Sequence, residues 1–284
     1  MTLAARRRLP ARTALLDRSL EQLPVFRLSD AAEEAAITYV TPDGGRWRVI
    51  ASPGDRLPGT FDQDVYVELM RRYQEVGEPA DGIVSFTLHA FLRSMGRRAD
   101  GRTYEQLRGA LNRLERTTLE SVGSYYDAAG SRPVDVTFSI LTSVMIERRR
   151  SAERDQLALF PTVVAPEPGL ARVIISPVLR QNVSARHVVT LSVPRYLGLA
   201  SPVAKRLYRL IEAARAENML TWRISLERLR ELLPLAQRYP SHLQRVLQPA
   251  HDMLLAQGVV RNAVVKQQQR DWFVDYVMAG RGTP

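Results

Sequence analysis

The spacing of apolar positions along the chain is the sequence feature that most restricts its fold. Three pairs of equivalent apolar positions are separated by 138, 138 and 136 residues: Val65 and Val203, Phe86 and Ile224, and Leu107 and Leu243. An almost constant offset across a helix, a strand, two more helices and a hairpin predicts two copies of one module. The alternative is a chain of two unrelated α+β halves.

Each copy is predicted to contain the same elements. Helical periodicity with Gly or Pro stops predicts helices over residues 61–76, 88–95, 103–117, 201–216, 226–233 and 241–257. The β-rich runs IVSFT and LTWRIS precede the helix pairs, and a hairpin follows each pair, TLESVGSYYD with PVDVTFSILTSVMIERRR in the first copy and residues 259–278 in the second. A short helix, a polar-faced helix and a β-hairpin form a winged helix-turn-helix. The predicted fold class is therefore α+β, two tandem winged-helix domains with a short β-rich N-terminal segment.

Residues 103–117, TYEQLRGALNRLERT, form the candidate reading helix of the first copy. Thr103 is its predicted N-cap, and Leu107, Leu111 and Leu114 make its buried stripe. The opposite face carries Arg102, Gln106, Gly109, Asn112, Arg113 and Arg116, whose polar side chains can contact phosphates and base edges while Gly109 allows close approach. Thr103 is also a candidate DNA contact. The alternative is an amphipathic surface helix with no such role.

Further candidate DNA contacts lie outside this helix. In the first copy they are Arg97 and Arg98, in the turn before the helix, and Arg132, near the tip of the predicted wing. In the second copy the predicted outward face carries Arg238, Ser241, His242, Arg245 and Gln248, and the closing hairpin carries Arg261 and Lys266. Pro249 is expected to kink or split the second reading helix, because proline lacks the N–H for one helical hydrogen bond.

The charge of the chain favours an anionic polymer or a membrane surface as partner. The formal net charge is +10, and 38 of the 40 basic residues are arginine, since Lys205 and Lys266 are the two lysines. Arginine suits bidentate contacts to phosphate and guanine, although a GC-rich genome also enriches it. Double-stranded DNA is the predicted partner, and a generally basic soluble protein is the alternative.

The residues present exclude several chemistries and nominate no catalytic group. Absence of cysteine excludes disulfides, thiolate nucleophiles and zinc fingers. No phosphate-binding loop of the G-x-x-x-x-G-K-[ST] type occurs, and none of the four histidines forms a His-x-His pair. Asp62 and Asp64 are interpreted as helix caps. We therefore predict no enzymatic activity, cofactor or metal. The lack of cysteine fits a cytoplasmic protein, and no apolar run approaches the roughly 18 residues of a membrane span.

Four segments are expected along the chain. Residues 1–20 are predicted to be a flexible basic arm, 21–148 the first winged-helix domain, 149–171 a linker with three prolines, and 172–284 the second domain. LPVFRL (residues 23–28) and VIISPVLR (residues 173–180) are predicted strands, and residues 36–52 a hairpin around PDGG.

Three stretches resemble the replication initiator protein A family of plasmids, and more broadly the tandem winged-helix Rep initiators. They are LPVFRLSD with the Tyr39 strand and SPGDRLPGTFDQDVYVELM, then FLRSMGRRADGRTYEQLRGALNRLERTTLES, and last the W-R-I-S strand with the helix over residues 239–258. The resemblance covers roughly residues 21–278, and it depends on the order and spacing of these stretches more than on any single motif.

This resemblance implies a protein that binds repeated sites, called iterons, at the origin of a plasmid or secondary chromosome. It implies opening of an adjacent AT-rich duplex, recruitment of a host initiator and replicative helicase, and a homodimer, in equilibrium with monomer, that represses its own promoter. The DNA contacts it implies are Arg102, Gln106, Asn112, Arg113, Arg238, Ser241, His242 and Arg245. The alternatives are a winged-helix transcription regulator without origin function, a nicking enzyme or nuclease, and a nucleoid or partition protein.

Overall fold

The computed structural model describes residues 13–29, 36–147, 169–215 and 219–280. Up to the first gap after residue 36, the elements are β1 (Thr13–Asp17), α1 (Arg18–Glu21), β2 (Ala36–Val40), β3 (Arg46–Ile50), α2 (Thr60–Glu75), β4 (Ile83–Thr87), α3 (Leu88–Ser94), α4 (Gly101–Arg116), β5 (Thr118–Asp127), β6 (Arg132–Phe138) and β7 (Leu141–Ile146). The later elements are β8 (Leu170–Ile175), α5 (Pro177–Ser184), β9 (Val188–Ser192), α6 (Val193–Gly198), α7 (Pro202–Arg215), β10 (Thr221–Ser225), α8 (Leu226–Leu232), α9 (Pro240–Ala256), β11 (Val260–Gln268) and β12 (Asp271–Met278).

Two modules of the same architecture are present, which confirms the predicted tandem winged-helix fold. The first module consists of α2, β4, α3, α4, β7 and β8, and the second of α7, β10, α8, α9, β11 and β12. Each contains a three-stranded antiparallel sheet, in the order β4-β8-β7 or β10-β12-β11. In both sheets the last strand of the module lies in the centre, between the strand that precedes the helix pair and the other wing strand.

The junction between strand and helix pair is built in the same way in both modules. Thr87 ends β4, and its hydroxyl accepts a hydrogen bond from the N–H of Ala90 at 3.1 Å. Ser225 ends β10, and its hydroxyl accepts from the N–H of Arg228 at 3.2 Å. A Ser or Thr at this position satisfies one N–H that the first helical turn would otherwise leave without a partner.

The predicted wing of the first module is wrong except for residues 141–146, which form its strand β7. The hairpin of β5 and β6, which carries Arg132, belongs to a separate four-stranded sheet in the order β2-β3-β5-β6. β5 pairs with β3 from Arg46 opposite Val122 to Ile50 opposite Thr118, and Trp47 lies fully buried beneath this sheet. The wing consists of β7 and β8 instead. The β5–β6 hairpin, whose side chains alternate like those of a wing, pairs with the N-terminal hairpin of β2 and β3.

The predicted linker and domain boundary are also corrected. Residues 148–168 lie outside the described residues, but they connect β7 and β8, which are antiparallel neighbours in one sheet of the first module. Leu170 and Ala171 already belong to β8, so a boundary at residue 172 would cut this strand. The predicted strand over residues 173–180 holds only as far as Ile175, since Pro177 occupies the first turn of α5.

The predicted flexible arm is wrong for residues 13–20, while residues 1–12 lie outside the described residues. β1 pairs antiparallel with β9, and Ala14 and Leu16 are fully buried. Residues 23–28 are not the predicted strand but a buried irregular segment, which includes Phe26. The carbonyl of Pro24 accepts a hydrogen bond from Nε1 of Trp47 at 2.7 Å, so the N-terminal segment is held by the core.

The six predicted helices and the hairpin over residues 36–52 are confirmed, with ends shifted by a few residues. The predicted caps are corrected: Asp100 caps α4, and Gly59 precedes α2 with Asp62 accepting from its N–H at 2.6 Å. α9 continues through Pro249 as one helix. Pro249 lies on the exposed face, where water can reach the carbonyl that loses its helical partner.

One continuous cluster of buried apolar side chains extends through both modules and the N-terminal segment. Within the described ranges, no helix is both long and apolar enough to span a membrane. In the same ranges, no three His, Asp or Glu side chains lie close enough together to hold a metal ion.

Candidate nucleic-acid interface

Helix α9 presents one face to the core of the second module and the opposite face to solvent. Its buried side chains recur at helical spacing: Leu243, Leu247, Ala250 and Leu254. The five positions predicted from the sequence are all exposed, and they are Arg238, Ser241, His242, Arg245 and Gln248. α9 is the second helix of the α8–α9 pair, which is the position of the recognition helix in a helix-turn-helix.

The N-terminus of α9 is open to a ligand. Tyr239 precedes the helix in an extended conformation, and no side chain caps the first turn. The Tyr239 side chain is 70% exposed and lies edge-on to the ring of His242, with 5.7 Å between the ring centroids. Sequence reasoning missed Tyr239, although an aromatic residue directly before a polar helix face was visible in the sequence.

The cations of this face are not neutralised by the surrounding protein. In the part of the chain that the structure describes, no carboxylate forms an ion pair with Arg238 or Arg245. Gln248 donates a hydrogen bond from Nε2 to Asp252 Oδ1 at 2.9 Å, one helical turn further along. Two exposed guanidinium groups therefore remain available for phosphates or base edges.

The second wing adds a smaller set of basic side chains. Arg261 is exposed on β11, and Lys266 pairs with Asp275 across the hairpin at 3.2 Å. Arg223 on β10 also approaches Asp275 at 3.6 Å and lies over the ring of Phe273 at 4.5 Å. Arg223 was not predicted as a site residue. Lys266 is exposed, but Asp275 partly neutralises its positive charge.

Helix α4 occupies the equivalent position in the first module and keeps part of the predicted face. Arg102, Gln106 and Asn112 are exposed. Thr103 serves the helix cap instead: its hydroxyl accepts from the N–H of Asp100 at 3.0 Å and donates to the carbonyl of Arg98 at 2.6 Å. The hydrogen bond from the Thr103 N–H helps to hold the pKa of the Asp100 carboxyl below its usual range.

Arg113 has a structural contact that the sequence prediction did not include. Its Nε and Nη2 donate to the two carboxylate oxygens of Asp62 at 2.9 and 2.7 Å. Asp62 is 1% exposed, and this hydrogen-bonded pair raises the pKa of the Arg113 guanidinium. Because Arg113 neutralises a buried carboxylate on α2, it joins α4 to α2.

Other basic side chains around α4 are paired as well. Arg97 lies 3.1 Å from Asp64, Arg116 lies 3.6 Å from Asp55, and Arg108 lies 2.6 Å from Glu105. Arg98 is 90% exposed, and its Nε lies 3.9 Å from Asp100 Oδ2, the longest of these distances. Its guanidinium is therefore less closely paired than that of Arg97 in the same turn.

Arg132 lies apart from these residues. It is exposed at the start of β6, next to the β5–β6 turn. That turn contacts α5, because the N–H of Ala128 donates to Asn182 Oδ1 at 2.9 Å. The structure therefore assigns Arg132 to the four-stranded sheet and not to the wing of the first module.

The fold and this arrangement of exposed helices define a tandem winged-helix protein. The sequence profile of the family "Replication initiator protein A" matches residues 16–234, and the chain belongs to that family. No curated protein matches the chain in a sequence search.

Solved structures show the same fold. Two structures of domains 2 and 3 of RctB match with TM-scores of 0.57 and 0.55, at 12% and 11% identity, over 91% and 92% of this chain and 95% and 97% of theirs. The Pi initiator protein, solved in complex with iteron DNA, matches with a TM-score of 0.56 at 13% identity, over 94% of this chain and 98% of that chain.

Proposed function

We propose that this protein is a replication initiator that binds double-stranded DNA at repeated origin sites, with α9 as the main recognition helix. The observation that carries the proposal is the exposed polar face of α9 with the residues just before it, since neither Arg245 on the helix nor Arg238 before it pairs with a carboxylate in the described part of the chain. Membership of the Replication initiator protein A family supports it, as does the shared fold of the Pi initiator, whose structure contains iteron DNA.

In this proposal the N-terminal half of α9 enters a major groove. Arg245, Gln248 and His242 face base edges, while Arg238 and Ser241 face the phosphates beside the groove. In the first turn Pro240 has no N–H and the N–H of His242 donates to the Tyr239 carbonyl, so Ser241 supplies the backbone N–H that favours a phosphate. On the wing, Arg261 and Lys266 contact DNA phosphates.

The first module contributes fewer free groups. Arg98 and Arg102 contact phosphates, and Gln106 and Asn112 face the groove. Arg113 and Thr103 do not contact DNA, because the polar atoms of Arg113 pair with Asp62 and those of Thr103 belong to the α4 cap. Arg97 and Arg116 contact phosphates while they also pair with Asp64 and Asp55. Arg132 does not contact DNA.

The family resemblance extends the proposal to a homodimer that represses its own promoter and to contacts with a host initiator and replicative helicase in the cytoplasm. Sedimentation of the protein with and without its promoter duplex measures the dimer. A monomer at every concentration that gives promoter binding would contradict it.

Selection from a random duplex pool tests DNA recognition directly. The protein is expected to enrich one sequence family, and log K against log salt is expected to fall with a slope near −5 if roughly six phosphates are neutralised. No enrichment, or an affinity independent of salt, would contradict the proposal. Enriched sites that occur as direct repeats beside an AT-rich stretch support an initiator, whereas a single inverted repeat would assign a transcription regulator.

A further inference from the structure

A buried ion pair joins the two modules. Asp64 on α2 and Lys205 on α7 have side chains that are 4% and 9% exposed. The Lys205 ammonium donates to both carboxylate oxygens of Asp64, at 2.7 and 2.8 Å. We use the term seam for this contact of α2 and the α3–α4 turn with α6 and α7.

Asp64 has two further partners, and one of them lies in the turn before α4. The hydroxyl of Tyr196 on α6 donates to Asp64 Oδ1 at 3.0 Å, and Nη2 of Arg97 donates to Oδ2 at 3.1 Å. Arg97 belongs to the turn before α4, and its side chain is 47% exposed. One carboxylate therefore connects the helix-turn-helix turn of the first module to α6 and to α7, the first helix of the second module.

The choice of lysine indicates that the geometry at the seam is specific. Arginine supplies 38 of the 40 basic residues, yet one of the two lysines lies here. The Lys205 ammonium also lies 5.0 Å from the centre of the Tyr196 ring. A compact ammonium fits between a carboxylate and an aromatic ring where a planar guanidinium needs more room.

The N-terminal segment also contacts both modules. Glu21 Oε2 accepts from Nε of Arg209 at 2.7 Å and lies 3.3 Å from Nη1 of Arg206, all three side chains being buried. The N-terminal strand β1 pairs with β9, and Gln74 on α2 hydrogen-bonds both backbone groups of Leu15. The N-terminal segment therefore links α2 and α7 indirectly, whereas Asp64 and Lys205 form a direct ion pair between these two helices.

We propose that Asp64 and Lys205 are positioning residues for DNA recognition, which hold the Arg97 turn and the second module at one separation, so that the protein reads a composite site of fixed internal spacing. This inference rests on the proposed function. It adds the requirement that both modules engage one duplex together. An insertion of two base pairs between their contacts shifts one half-site by about 7 Å and rotates it by about 70°.

The test uses the duplex that the wild-type protein selects and the same duplex with two base pairs inserted at its centre. The variant is the double substitution Asp64→Asn with Lys205→Met, which removes both charges and leaves neither one buried without a partner. The control is Glu120→Gln, which breaks an exposed pair with Arg48, 3.2 Å long and outside the seam. Circular dichroism shows whether each protein is folded.

The measured quantity is the ratio of Kd on the inserted duplex to Kd on the selected duplex. We expect a ratio of about 100 for the wild type and the control, because the insertion prevents simultaneous binding, and about 10 or less for the double variant. Lys205→Met alone, in which Arg97 and Tyr196 still pair with Asp64, is expected to change the ratio in the same direction.

A folded double variant that keeps the wild-type ratio would overturn the inference and leave the proposed function standing. If the double variant does not fold, the same result with a folded Lys205→Met protein would overturn the inference. A wild-type ratio near 1 would also overturn it, since the site would then have no fixed spacing. Failure of the wild type to enrich any duplex would overturn the proposed function and the inference together.

Discussion

Helices α4 and α9 hold the same place in two copies of one module, but their charged side chains have different partners. Arg97, Arg108, Arg113 and Arg116, on or next to α4, all lie within 4 Å of a carboxylate. On α9, the exposed Arg245 has no carboxylate partner among the residues that the structure describes. Repetition of a fold therefore preserves the position of a recognition helix without preserving the availability of its cations.

The N-terminal turns differ in the same direction. Asp100 and Thr103 satisfy each other's backbone groups at the start of α4. At the start of α9, Pro240 has no N–H and Tyr239 provides no side-chain cap. The first helix is therefore built into the molecule at its N-terminus and through Arg113, whereas the second is attached by its buried face and exposes its polar one.

The largest expected effect is on stability and comes from Arg113→Met. The substitution leaves the Asp62 carboxylate, which is 1% exposed, without its bidentate partner. We expect the free energy of unfolding in urea to fall by ~2–4 kcal/mol. Arg108→Met is the matched control on the same helix, since its partner Glu105 is 71% exposed, and we expect a change within ~0.5 kcal/mol. Equal effects of the two substitutions would remove the structural role assigned to Arg113.

The second expected effect is a pH dependence that belongs to α9. His251 is buried on this helix, and its Nε2 lies 2.9 Å from the hydroxyl of Tyr276 on β12. Burial lowers the pKa of His251 to about 4 from 6.5. Between these values the unfolded chain binds a proton that the folded protein does not, so stability falls as the pH falls from 6.5 towards 4.

The substitution His251→Phe removes this dependence. Relative to the wild type, the variant is expected to gain on the order of 2–3 kcal/mol in unfolding free energy between pH 7.5 and pH 4. Tyr276→Phe, which keeps the histidine but removes its hydroxyl partner, should keep the direction of the wild-type pH dependence. The comparison with wild type is needed because burial raises the pKa of Asp17 to about 7, which gives the opposite dependence, stability lost as the pH rises from about 4 to 7. A variant parallel to the wild type at every pH would contradict a buried neutral His251.

The smallest of the three effects concerns the helix caps. Asp100→Ala removes the carboxylate that accepts from the Thr103 N–H at 3.0 Å, and we expect a Tm lower by a few degrees. Ser241→Ala, at the start of α9, removes a side chain that makes no cap hydrogen bond and should leave the Tm unchanged. A loss of stability at Ser241 as large as that at Asp100 would erase the difference between the two N-termini.

The sequence predicted the fold through local signals. Apolar periodicity located α4 and α9, and the constant offset predicted the duplicated module, because core positions recur wherever a helix packs on the same neighbours. The first wing was wrong because β5 and β6 alternate like any half-buried hairpin, and periodicity does not identify the partner strand.

The two helix faces of the candidate site were predicted from the sequence. The difference between them in the pairing of their cations was not predicted. The opposite-face rule places Arg113 and Arg245 alike. Their difference depends on Asp62, which is 51 residues from Arg113 in the sequence, and such long-range pairing is decided by tertiary packing. The N-terminal arm was misjudged for the same reason, since β9, the partner strand of β1, lies far along the chain.

The central claim is that α9 reads the DNA more than α4 does. It is tested most directly by the affinities of Arg245→Ala and Arg102→Ala for the selected duplex, measured side by side in one buffer. Both arginines are exposed on their helices, and neither forms an ion pair with a described residue. The account predicts that Arg245→Ala weakens binding by about 10- to 100-fold, whereas Arg102→Ala weakens it by less than about 5-fold. The reverse order, or an unchanged affinity for Arg245→Ala, would contradict it.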